Sequence, residues 1–301
     1  MNIYKNFSKK YPVLLVILTV LFVYGLLKLT GLVNVGPLSF GIREFIMAVV
    51  VFIVTFIFIG KEKVSFSAKG FRYSFRFVRG YLIVMAVIVF FGVLSNVLDS
   101  VVNDEVTAYK PIGVINIVIA GLFVGIVEEF TFRGLIFGGL LQKFGNSKKN
   151  IILAAFMSGL LFGVMHIVDS ALAGEITDIM GVGTAVLKTI QTGIFGVVLA
   201  FIYYKTRNLF AVAALHSLDD FLVFVTADAG NTKLTSFVAN SGDNLASARI
   251  YLYIIFTLIL VPSIVRCIRN LKPGEAIPFD EDFLPRAVEF EKKSKKLTGD
   301  E

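Results

Sequence analysis

The sequence predicts an all-α, polytopic membrane protein with about eight transmembrane helices and both termini cytoplasmic, and three observations carry that expectation. Of 301 residues, 56% are hydrophobic and only 17% charged, with a mean hydropathy of +0.81, whereas a soluble domain carries about a quarter charged residues. Apolar runs of about 20 residues, the length that crosses a bilayer's hydrocarbon core, recur along the chain. Lysine and arginine gather on alternate connections between those runs. The bilayer offers backbone amides no partners, so such runs must close their own hydrogen bonds as helices.

The first run, 12–33, follows Lys5, Lys9 and Lys10; its length and the lack of a small-x-small cleavage site read as an uncleaved signal anchor. The second covers 41–60. The connection Lys61 to Gly80 then interleaves Phe66, Phe71, Phe75 and Phe77 with Lys69, Arg72, Arg76 and Arg79. That pattern suits either an ordinary basic inner loop or a helix lying in the membrane interface. The remaining runs are 81–98, 112–141, 151–168, 184–204, 209–226 and 250–265. From Arg269 onward, mixed charges around Pro273, Pro278 and Pro285 read as a solvated tail.

Of the 29 lysines and arginines, 22 fall on one side of this arrangement, in both terminal tails and in the connections around residues 70, 145 and 206. The opposite connections hold Asp99, Asp104, Glu105, Asp169, Glu175 and Asp178. Both termini are therefore expected in the cytoplasm of a multi-pass cell-membrane protein, with the basic side against anionic headgroups. A net charge of +7 distributed in this way points to lipid, and no nucleic-acid partner is expected. The single cysteine, Cys267, excludes an internal disulfide and a four-cysteine zinc site.

Ionisable residues interrupt three of the runs: Glu128, Glu129 and Arg133 in the fourth, His166 in the fifth, and His216, Asp219 and Asp220 in the seventh. A charge at mid-helix costs about 2.5 to 3.5 kcal/mol even on the lenient insertion scale, so such groups must find one another or water. Counted from the inner ends at about 1.5 Å per residue, Glu128 lies about 22 Å deep, His166 about 24 Å, His216 about 14 Å and Asp220 about 20 Å. One band of the bilayer therefore holds them all. Glu129 and Arg133 are four apart and can pair on one helical face. Glu128 is rotated by about 100° from that pair. It is left without an intrahelical cation, as suits a general base. His216 and Asp220 are also four apart, which lets the carboxylate orient the imidazole. Gly121, Gly125, Gly134 and Gly138 form small-xxx-small patterns for close helix packing.

Glu128-Glu129-Phe130-Thr131-Phe132-Arg133, Phe162-Gly163-Val164-Met165-His166 and His216-Ser217-Leu218-Asp219-Asp220 resemble the EExxxR, FxxxH and HxxxN/D motifs of the CPBP family. That family comprises type II CAAX prenyl endopeptidases and bacterial Abi or bacteriocin-processing proteins. The resemblance covers about residues 112–226 and implies an eight-helix intramembrane protease. By position it implies that Glu128 activates water, Glu129 pairs with Arg133, His166 helps hold the water, and His216 with Asp220 stabilises the oxyanion. Asp220 stands where the eukaryotic branch has asparagine. The chain then divides into transmembrane helices 1–3 with the basic inner loop (1–110), a catalytic core of helices 4–7 (111–226), an outer loop with helix 8 (227–268) and a polar cytoplasmic tail (269–301).

The reaction expected is hydrolysis of a peptide bond in a membrane-associated or hydrophobic peptide. Family members are often described as metalloproteases, and Glu128, His166 and His216 make a plausible three-ligand zinc set. The HExxH spacing is absent. The reading adopted is that no cofactor is required, with zinc as the alternative. Two other functions fit the same residues: a catalytically idle scaffold or bacteriocin-immunity factor that binds a regulatory membrane partner, and a proton-coupled transporter.

Overall fold

The computed structural model describes residues 2–59, 68–102, 111–145, 147–227, 237–243 and 246–271, and among them every regular element is helical. A short α1 (Asn2–Lys10) leads into α2 (Pro12–Thr30), and a single 3-10 turn (Gly36–Leu38) precedes α3 (Ser39–Ile59). Next come α4 (Ala68–Phe77), α5 (Arg79–Val102) and α6 (Pro111–Glu129), the last continuing through a π-helical stretch (Phe130–Phe137) into α7 (Gly138–Phe144). The remaining helices are α8 (Lys148–Leu172), α9 (Ile179–Thr206), α10 (Leu209–Ala227) and α11 (Ala246–Asn270).

Helices occupy all eight apolar runs. Among the described residues six spans are long and apolar enough to cross a membrane, or seven if α4 and α5, bent by 64° at their junction, count as one. That bend separates a short amphipathic helix from its span, so the stretch 68–77 of the basic connection is helical rather than a plain loop. Gly70 and Ser74 of α4 turn inward while Arg72 and Arg76 are exposed. Lys61, Lys63 and Phe66, Asp104 and Glu105, and the expected tail from 272 onward lie outside the described residues.

Local chemistry sets the ends. The Ser147 hydroxyl caps α8 by accepting from the Asn150 amide at 3.2 Å, and the Asp178 carboxylate caps α9 by accepting from Gly181 at 2.8 Å. Asp178 also accepts from the Ser241 amide at 2.7 Å, and Asn240 accepts from Thr177 and donates to the Glu175 carbonyl. The stretch 237–243 is thereby tied to the start of α9. Gly145, at φ +82°, ends α7 in a conformation that suits glycine.

The bundle is built around α9, 67% of whose span is buried, while α2 at the periphery is only 11% buried. Leu14, Ile17, Leu21, Ile53, Ile57, Phe90 and Leu160 point outward. An apolar exterior of this kind suits hydrocarbon, not water. Two close helix contacts position the interior. A Cβ on Gly125 would stand 2.5 Å from the Ser217 amide nitrogen and 2.6 Å from the Ala213 carbonyl oxygen, so α6 and α10 touch through backbone. Ser217 reinforces this by donating to the Leu122 carbonyl at 2.8 Å. Gly159 gives the same contact between α8 and α9, where a Cβ would lie 2.6 Å from the Gly193 carbonyl oxygen.

The fourth run departs from the continuous α-helix expected over 112–141 immediately after Glu129. Its π stretch is buried throughout, and the wider turn displaces carbonyls from the usual ladder. Thr131 donates to the Val127 carbonyl at 2.6 Å. Ser158 of α8 supplies a donor to the Phe132 carbonyl at 3.2 Å, so a neighbouring helix satisfies a backbone group in a waterless setting.

Two outcomes are expected. Gly125→Ala should destabilise the bundle by about 1–3 kcal/mol through overpacking, whereas Gly183→Ala, with open space around it, should be neutral; thermal unfolding in detergent compares them. Hydrogen bonds from Ser241 and the Gly181 amide hold the Asp178 carboxyl below the usual carboxylate range. A depressed folded-state pKa means that the tie is at full strength above the unfolded value, about pH 4, and is lost as pH falls through the lowered one. Protection of the Ser241 amide, its exchange rate set against the intrinsic rate at each pH, should therefore stay high at neutral pH and fall only on strong acidification.

Candidate active site

Glu128 and Glu129 are consecutive at the end of α6, and their roles separate in space. Glu129 and Arg133 are fully buried and paired at 2.8 Å. The same Glu129 oxygen, Oε1, lies 2.8 Å from His216 Nδ1 of α10 and accepts its proton there. Glu128 keeps a quarter of its side chain exposed and faces the opposite edge of the imidazole, with Oε2 at 3.2 Å from His216 Nε2. Its other oxygen is 3.9 Å from Nε2 of His166 on α8. Side chains of three helices, α6, α8 and α10, therefore meet at one point.

Asp220 is placed differently from the expectation that it orients the ring. It lies 3.7 Å from His216 Nε2, beside the face that Glu128 uses, because one helical turn carries it past the ring on that side. Orientation falls to Glu129 instead, through Nδ1. Asp219 accepts from the Tyr81 hydroxyl of α5 at 2.9 Å.

Aromatic rings brace the cluster. Phe162 lies beneath the Arg133 guanidinium, 4.5 Å from its centroid, and meets His166 and His216 edge to face at 4.6 and 5.4 Å. Phe195 of α9 packs on the other flank of His216 at 5.5 Å and stacks on Tyr81. The Phe162 carbonyl lies 2.9 Å from His166 Nδ1; an Nδ1–H donated there leaves Nε2 as an acceptor on the Glu128 side.

Glu128, His166 and Asp220 open into a chamber of about 800 Å³ walled by α2, α3, α6, α8 and α10, including Val20, Met47, Val127, Phe132, Met165 and Phe224. The combination of a mostly apolar wall and a few convergent polar groups is that of a ligand site. A metal could also be accommodated. Glu128, His216 and Asp220 offer ligand atoms all within 4.8 Å of one another, and Glu128 Oε2 and Asp220 Oδ2 make no hydrogen bond to described residues. This set contains Asp220 where the sequence expectation had His166.

Sequence reasoning missed Tyr81, Phe195 and Glu44. Tyr81 and Phe195 are ordinary residues of apolar runs, and only packing reveals them. Glu44, a buried carboxylate on α3 that lines the chamber, met the same criterion as the others, an acid inside an apolar run, and was legible.

Removing Arg133 would leave the Glu129 charge buried and unpaired. Arg133→Met is therefore expected to cost about 3–5 kcal/mol. Arg133→Lys should recover only part of this, because a lysine loses the planar contact with Phe162; unfolding of the purified variants in detergent measures both.

Residues 110–222 match the family model described as Type II CAAX prenyl endopeptidase Rce1-like. No curated protein and no solved structure matches the chain. The matched segment contains α6, α8 and α9, most of α10 and all three motifs. In the part that carries the site, the chain is thus similar to the type II CAAX prenyl endopeptidases, a match consistent with a protease of the CPBP family.

Proposed function

We propose that this protein is an intramembrane endopeptidase that hydrolyses a peptide bond in a membrane-associated or hydrophobic peptide, with Glu128 as general base. The observation that carries the reading is the position of Glu128, on the chamber wall and within 3.2 and 3.9 Å of imidazoles from two other helices. Similarity of residues 110–222 to a protease family supports it. A multi-pass arrangement in the cell membrane with cytoplasmic termini belongs to the same reading and rests on the basic residues of alternate connections.

In this mechanism a water held between Glu128 and His166 Nε2 gives its proton to the Glu128 carboxylate. The oxygen then attacks the scissile carbonyl carbon. The tetrahedral oxyanion accepts a hydrogen bond from His216 Nε2. That donation requires an imidazolium, since Nδ1 already donates to Glu129; the carboxylates of Glu128, Glu129 and Asp220 surround the ring and suit a cation there. Glu128 finally passes its proton to the departing amine nitrogen as the C–N bond breaks. Arg133 balances Glu129 throughout, so the orienting carboxylate does not compete for the substrate proton.

This route needs no metal. Were zinc bound, Glu128, His216 and Asp220 would hold it, and the ion would supply Lewis-acid polarisation of the carbonyl and of water.

Glu128→Gln should lower kcat against a hydrophobic reporter peptide by about 10²–10⁴-fold, the usual span for loss of a general base, while membrane insertion is unchanged. Exhaustive chelation should leave wild-type turnover intact. Activity retained in the glutamine variant would overturn the role of Glu128. Activity lost to the chelator and restored by zinc would transfer the reading to the metal.

A further inference from the structure

Glu44 on α3 is 8% exposed, lies inside an apolar membrane-spanning helix and lines the same chamber as Glu128, His166 and Asp220. Counted from the inner end of α3 at about 1.5 Å per residue, it sits about 22 Å deep, level with Glu128. No described residue hydrogen-bonds to it or pairs with it. Of the charges that act on it, the nearby Glu128 carboxylate repels and its chain neighbour Arg43 attracts, while the Arg43 Nε donates to the Val33 carbonyl at 2.7 Å.

Among the described residues the chamber lining offers no spare cation. Its lining includes the carboxyl groups of Glu44, Glu128, Asp169, Glu175 and Asp220 against one lysine, Lys28. Lys28 is already paired with Asp169 at 3.3 Å. Glu128 and Asp220 share His216. Among the described residues Glu44 is a membrane-buried acid with neither an ion-pair nor a hydrogen-bond partner, and intramembrane acids without partners mark ligand or ion sites.

We propose that Glu44 is a specificity-determining residue that binds a cationic side chain, lysine or arginine, of the peptide occupying the chamber. The substrate class this selects is an apolar peptide segment carrying one basic residue at a fixed position. The apolar wall takes the flanking side chains and Glu44 takes the charge. This inference rests on the peptidase reading for its substrate class, and its test is made on binding so that the two can fail separately.

The experiment uses the full chain carrying Glu128→Gln, reconstituted in lipid nanodiscs, and dye-labelled apolar peptides that differ only in lysine or norleucine at successive positions. The expected result is binding of the lysine peptide about tenfold tighter than its norleucine partner at one position, with the ratio falling to about one when Glu44→Gln is added. Carbodiimide treatment of the bound lysine peptide on protein that retains Glu44 should couple the lysine amine to the Glu44 carboxyl, located by mass spectrometry. A ratio near one at every position, a ratio that survives Glu44→Gln, or coupling to Asp169 or Glu175 instead would overturn the proposal. Cleavage of either peptide by the wild type is scored separately, and its absence would count against the peptidase reading without altering the binding ratio.

Discussion

The cost of placing charge in hydrocarbon governs this structure. Glu129, with none of its side chain exposed, meets Arg133 at 2.8 Å and His216 Nδ1 at 2.8 Å through one oxygen, Oε1. That one atom joins α6, the π stretch and α10. Removing either member of the Glu129–Arg133 pair strands a charge where water cannot reach, so the electrostatic demand doubles as a positional one. His216 is held by the pair behind it, and its Nε2 edge faces Glu128 and Asp220, which line the chamber.

Packing answers that demand. The Gly125 contact lets α10 approach close enough for His216 to reach the carboxylates, and the Gly159 contact brings α8 and its His166 against α9. The π stretch begins at the residue after Glu129 and stays buried to Phe137; irregular backbone of this kind is found where a helix must aim side chains at a site. Phe162 acts at both levels, as a wall for two imidazoles and as a cushion for Arg133.

Much of this was legible from residue spacing. Apolar length located the helices, and an interval of four joined Glu129 to Arg133. Equal depth on three helices anticipated that Glu128, His166 and His216 would meet. What spacing could not settle was rotamer and rotation: His216 turns Nδ1 across to α6, so Glu129 orients it and Asp220 does not. The π stretch was hidden because its residues are as apolar as any helix interior, and the backbone decides there. Glu44 was legible, since it is an acid inside an apolar run as Glu128 is.

The central claim is that the cluster activates a water molecule and does not attack the peptide itself. Single-turnover cleavage in ¹⁸O-water tests it most directly, with mass analysis of both the product and the protein. Water attack places one ¹⁸O in the new carboxyl group of the product and none in the Glu128 side chain. Label appearing in the Glu128 carboxyl would reveal an acyl intermediate on that residue and contradict the account.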